Sequence, residues 1–250
     1  MGGVDYDVDG PICRITMTAP RLGWGTMKAL TTAPQRAVED GARVLLLTAQ
    51  GPDFSHGVDL ADPELADMLR ADGGIGVATA GQALVDGWAR APLPTVVALQ
   101  GRVIGAGACL AVASEFRFAA PDTTIAFPEV ARGMHLSWGI LPRLVSAFGL
   151  DWARWLAVGG QPVGVAALGL AAARVVEAPI AAATAWAHHL AALAPLAVVH
   201  IREVLAAIAA GDPSAAADDP ARFAATAASA DFAEAMAAWF EKRAPVFRGK

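Results

Sequence analysis

The stretch VIGAGACLA, Val103 to Ala111, places two glycines around Ala106 where a long apolar segment begins. Glycine is costly inside a helix and permissive at its entrance, so the pattern predicts that some group approaches bare backbone there. The segment reads as helix to about Ala113. Before it, APLPTVVAL is a strand entered through two prolines that bar helix. After it, EFRFAA reads as another strand. Further upstream, RVLLLTAQ (Arg43–Gln50) is a near-continuous apolar run of strand length, suited to burial on both faces. Residues 4–18 read as a hairpin about the Asp9-Gly10 turn. Helices are expected over about Thr26–Asp40, from Pro63, and over Ile75–Arg90. This strand–helix alternation predicts an α/β fold with a largely parallel core. Beyond about Leu136 the signals are helical, with GDPSAAADDPA (Gly211–Ala221) as a flexible connector.

Composition narrows the function. Of 250 residues, 55% are apolar and 17% charged, which predicts a large core or substantial subunit interfaces. A net charge of −5 without a basic run argues against nucleic acid as a partner. Cys13 and Cys109 have neither metal spacing nor a disulfide framework, which fits a reducing compartment. The opening MGGVDYDVDG is acidic and has no signal-peptide run. The uncharged stretch Val163–Ala173 stops at Arg174, well short of the ~18 residues of a membrane span. A soluble, cytoplasmic protein without membrane association is expected.

Several chemistries are missing. Ser55 and Ser137 lack the glycine two residues earlier that a nucleophile elbow needs, and no H-E-x-x-H, Walker loop or C-x-x-C occurs. Gly105-x-Gly107 is followed by Leu110 where a dinucleotide fold needs a small residue. His188 and His189 are neighbours on a helix, so their rings point about 100° apart and read as surface residues.

Two loops share one logic. In DFSHGVDL a glycine precedes the N–H of Val58, and in GRVIGAGACLA the N–H of Ala106 opens a helix whose first-turn donors lack intrahelical partners. Each alone is an ordinary glycine turn; two such N–H groups meeting at one point make an oxyanion hole. The segments APLPTVVALQGRVIGAGACLA and TTIAFPEVARGM, with FSHGVDL before them and MAAWFEKRAPVFRGK at the end, resemble the crotonase (enoyl-CoA hydratase/isomerase) family from about Ile12 to Lys250.

The resemblance implies a spiral of ββα units over residues 1–190 and a helical oligomerisation region over 191–250, forming a homotrimer or a dimer of trimers. It implies an acyl-CoA thioester substrate whose carbonyl is held by the N–H groups of Val58 and Ala106, beside the small Gly105. No metal and no separate cofactor are expected, coenzyme A being part of the substrate. The family's hydratases carry two glutamates; here the first position is Cys109 and the second is Glu129. A thiol poorly replaces a water-holding carboxylate. One base suffices to move a double bond from the 3 to the 2 position. The expectation is therefore a Δ3/Δ2-enoyl-CoA isomerase with Glu129 as acid/base. The alternatives are a hydratase, another family activity, or a non-catalytic acyl-CoA binder. Cys109 is read as a buried packing residue at the substrate.

Other candidates keep two readings each. Backbone around Val58–Leu60 is expected to contact coenzyme A, with Asp59 bracing the loop. His56 either faces coenzyme A or caps the loop towards solvent. His135 either touches substrate or is structural, and Trp138 either bounds the acyl chamber or belongs to the core or an interface. The segment from Pro20 to Arg43 is shorter than the family's and lacks its asparagine turn, so no nucleotide contact is assigned to it.

Overall fold

The computed structural model describes residues 3–169 and 172–250. Its contacts divide the chain into Met1–Ala187 and His188–Lys250. Leu170 and Ala171, within the uncharged Val163–Ala173 stretch, lie outside the described residues.

The first unit begins with β1 (Val4–Asp9) and β2 (Ile12–Met17), paired antiparallel as expected about Asp9-Gly10. α1 (Trp24–Glu39) leads to β3 (Val44–Ala49), then α2 (Pro63–Asp72), α3 (Ile75–Ala89) and β4 (Thr95–Leu99). β5 (Arg102–Ile104) precedes α4 (Ala106–Ala113), followed by β6 (Phe116–Ala119) and β7 (Thr124–Ala126). After α5 (Ile140–Ala157) come β8 (Val163–Gly164) and β9 (Arg174–Val175). One sheet has the order β1-β2-β3-β4-β6-β9, parallel from β2 onward.

β3 lies between β2 and β4, and Val44 to Leu47 are completely buried, which is why its sequence is continuously apolar rather than alternating. Each such leucine contributes about 2 kcal/mol of apolar transfer. Pro34 sits inside α1. Having no N–H, it leaves the carbonyl of Leu30 without an intrahelical donor, and the indole Nε1 of buried Trp88 donates to that carbonyl at 2.9 Å. One helix defect thereby anchors α3 to α1.

The sequence reading erred at the opening stretch. Arg102–Ile104 is not the start of a helix but strand β5, which pairs with β7, and β7 pairs with β8 in a second, three-stranded sheet. Val103 and Ile125 carry too little sequence around them to show a strand period, and pairing with distant partners decides their state. ILPRLVSAF and DWARWLAV form one element, α5, broken at Gly149 where φ is +80°.

α6 (Pro179–Ala191) runs across the division between the units. The second unit continues with α7 (Pro195–Ala209), α8 (Asp219–Ala227) and α9 (Ala230–Glu241). α8 begins inside the segment expected to be a connector, with Pro220 in its first turn where a missing N–H costs nothing. The buried carboxylate of Asp231 accepts the N–H groups of Arg248 and Gly249 at 2.7 and 2.8 Å, fastening the tail within this unit. No single helix among the described residues is both long and apolar enough to cross a membrane.

Candidate active site

The segment after β3 and the segment after β4 run side by side. Ser55 N–H donates to the carbonyl of Arg102 at 3.0 Å, and Ile104 N–H returns to the carbonyl of Ser55 at 2.9 Å. Beyond this bridge the chain turns at Gly57, with φ +88°. Leu22 N–H then donates to Gly57 O, and Asp59 N–H donates to Leu22 O. Successive peptide groups of extended chain face opposite ways, so the N–H of Val58 points away from Leu22. On the other segment Gly105 has φ +53° and leads into α4, whose first residue is Ala106. Neither Val58 nor Ala106 N–H donates to a backbone carbonyl among the described residues.

Glycines bring these groups together. A Cβ on Gly57 would lie 3.3 Å from Ile104 O and 3.8 Å from Ala106 N. A Cβ on Gly105 would lie 3.1 Å from Oε1 of Glu129 and 3.7 Å from Gly57 Cα. Gly107 is required for a different reason: its Cβ would overlap that of Ser55 at 2.2 Å, so α4 rests directly on the neighbouring loop. The group that bare backbone admits at Gly105 within this chain is therefore the Glu129 carboxylate.

These residues line a cavity of about 410 Å³. Val58, Leu60, Gly105, Ala106, Cys109, Glu129, His135 and Trp138 all contribute to its wall. Glu129 follows β7 through buried Phe127 and opens a single 3₁₀ turn, Val130–Arg132. Its Oε2 is buried without a hydrogen-bond partner among the described residues. Burial pushes its pKa up, against a smaller opposing pull from a main-chain hydrogen bond and from Arg132. Cys109 is buried in α4, and its thiol is pushed far up, first by burial and then by the charge of Glu129. It is a neutral, apolar wall residue.

Trp138 is buried in the core and also lines the cavity. Its indole occupies the space where a Cβ of Gly81 on α3 would stand, at 1.8 to 2.2 Å. His135 is exposed at the cavity wall. His56 and Asp59 are not among the lining residues. His56 Nε2 is 2.8 Å from Asp53 Oδ2, beside a separate hollow that includes Thr18 and Gln50. Asp59 Oδ1 accepts the N–H of Ala61 at 3.2 Å and lies 3.9 Å from Arg21, so it braces its loop.

The sequence reading missed one wall altogether: Leu69 of α2, Gly73-Gly74, and Val77 and Ala78 of α3. The available signal was the Asp72-Gly73-Gly74 run. Both glycines have positive φ, and Asp72 accepts the N–H groups of Gly74 and Gly76 at 3.0 and 2.8 Å. Arg132 and Met134 also line the cavity and were not singled out. Among the described residues no cluster of three His, Cys, Asp or Glu side chains could hold a metal ion.

Chemically, the cavity wall offers two residues, Val58 and Ala106, whose N–H groups have no main-chain acceptor among the described residues, and one carboxyl group whose pKa burial raises. Residues 7–250 match the family model described as enoyl-CoA hydratase/isomerase. A Mycobacterium bovis protein named as an enoyl-CoA hydratase is 33% identical over 228 residues, covering 89% of this chain and 88% of its own. A Streptococcus mutans trans-2-decenoyl-acyl-carrier-protein isomerase is 29% identical over 165 residues, 62% of either chain. The crystal structure of a protein described as an enoyl-CoA hydratase from Streptomyces coelicolor A3(2) superposes with a TM-score of 0.89 at 25% identity. The match covers 99% of this chain and 94% of that one.

Proposed function

Because this chain belongs to the enoyl-CoA hydratase/isomerase family and has its fold, we propose that it isomerises a 3-enoyl-CoA to the 2-enoyl-CoA. The observation that carries this reading is that Glu129 supplies the one carboxylate among the described lining residues, with neutral Cys109 beside it. The thioester carbonyl oxygen accepts the N–H groups of Val58 and Ala106. Polarisation by these donors acidifies C2, and ionised Glu129 removes a proton from it. The electron pair becomes a dienolate whose charge rests largely on the thioester oxygen. Glu129 then returns the proton at C4, leaving the double bond between C2 and C3. Proton and electrons balance, and no water enters.

Hydration is the second reading, and the name of the Mycobacterium bovis relative favours it. The two separate in one experiment: wild-type protein assayed side by side for 3-enoyl-CoA isomerisation and 2-enoyl-CoA hydration. Isomerisation at enzymatic rates with hydration at background supports the first reading; the converse refutes it. Assembly as a trimer or a dimer of trimers through the helices of residues 191–250 belongs to the same proposal. It is supported by the exposure of Phe223, Trp239 and Phe240 within those helices. Sedimentation equilibrium measures it, and a monomer would overturn it.

A further inference from the structure

The two segments that present Val58 and Ala106 do not pair regularly before they reach the cavity. Phe54 N–H donates to Gln100 O, yet Ser55, the next residue, donates to Arg102 O. One segment thus spends an extra residue, Gly101, at φ +54°. That residue has no room for a side chain, since its Cβ would lie 2.3 Å from Pro52 O and 2.5 Å from Asp53 Oδ1. A bulge of this kind leaves a main-chain donor unpaired.

The Asp53 side chain fills the gap. Its Oδ1 accepts the N–H of Arg102 at 2.8 Å. Its Oδ2 accepts Nε and Nη2 of the same arginine at 3.0 and 2.7 Å, and lies 2.8 Å from His56 Nε2. The carboxylate is 14% exposed, and the arginine hydrogen bonds hold it well below the usual carboxylate range. Arg102 is three residues before Gly105, Asp53 is four residues before Gly57, and His56 directly precedes Gly57. One ionised group therefore joins both segments at the point where main-chain pairing lapses.

We propose that Asp53, clamped by the Arg102 guanidinium, is a positioning residue that sets the separation of the Val58 and Ala106 N–H groups. The inference rests on reading that pair as the carbonyl-binding donors. A donor displaced by about 1 Å can cost about 100-fold in rate, so a clamp at the slipped register governs catalysis without touching substrate.

The test uses butanoyl-CoA labelled with carbon-13 at the carbonyl, which lacks a double bond to move. Its infrared carbonyl stretch is compared free and bound to the whole protein. In wild type the bound band moves to lower frequency. In Asp53→Ala it moves back towards the free position, while the thioester still binds, and turnover of the enoyl-CoA falls about 100-fold. A purely structural role would change melting temperature and leave the bound band where wild type has it; that result overturns the inference alone. Absence of a shift in wild type overturns the donor reading and this inference with it. Should Asp53→Ala fail to fold, Arg102→Met decides the matter, because Arg102 is a 59% exposed side chain and its main-chain bond to Asp53 survives. An intermediate band supports the clamp, and an unchanged wild-type band overturns it.

Discussion

Replacing Glu129 by glutamine keeps the shape of the side chain and removes its charge and its capacity to take a proton. No other carboxylate stands among the described lining residues, and burial holds the adjacent Cys109 thiol neutral, so neither can substitute. Positioned acid–base catalysis contributes about 10²–10⁴-fold, which at about 1.36 kcal/mol per decade is about 2.7–5.4 kcal/mol of barrier. Isomerisation kcat is expected to fall by that factor with thioester affinity largely kept. The substitution also has a defined sign for stability. Burial raises the Glu129 pKa, so the folded protein holds this proton more tightly than the unfolded chain does. Wild-type stability therefore falls as pH rises from the ordinary 4.5 through the raised value, and stays reduced above it. Glu129→Gln escapes that loss, so its Tm advantage is greatest at neutral pH and vanishes below about pH 4.5. Wild-type kcat/KM should lose activity on the acid side above the ordinary glutamate pKa, since the base must be ionised. Absorbance of the conjugated product and thermal melts across pH read both effects. A loss of less than about tenfold in kcat would refute the assignment and move the base to the lining imidazole of His135.

Other substitutions test the walls of the same cavity. Gly105→Ala forces a side chain into φ +53° and within 3.1 Å of Glu129 Oε1. It should cost about 1–3 kcal/mol in a denaturant melt and abolish most turnover. Gly81→Ala drives a methyl into the Trp138 indole, for about 1–3 kcal/mol of destabilisation and a change in tryptophan emission; an unaltered melt would contradict the packing. Cys109→Glu should confer measurable 2-enoyl-CoA hydration if a second carboxylate is what that reaction lacks, at some cost in stability from burying an acid. Cys13 and Cys109 are both buried with raised thiol pKa values, so an aromatic disulfide reagent at pH 7 should label neither in the native protein and both in denaturant.

Much of the cavity wall is legible in the sequence because its signals are local. The glycine before Val58 and the glycine before Ala106 mark positive-φ backbone, and Gly107 marks a place with no room for a side chain. The strand at Val44–Ala49 was equally plain, since double burial demands an unbroken apolar run. Illegible parts share another property. β5, β7 and β8 have two or three residues each, and their state comes from partners distant in the chain. α3 packs its Gly81 against the Trp138 indole, a contact that no periodicity announces. His56 reads in isolation as a pocket candidate. It turns out to be held by Asp53, itself engaged by Arg102 across the register slip.

By itself the sequence determined which positions have bare backbone, which strands are buried on both faces, and that a thiol stands where a second acid would. Residue type and spacing along a few turns of chain carry that information. Only the tertiary structure decided that Gly57, Gly105 and the Glu129 carboxylate meet within a few ångströms, and which neighbours desolvate that acid. Its elevated pKa comes from what surrounds it in space, and that surround is assembled from elements far apart in the chain.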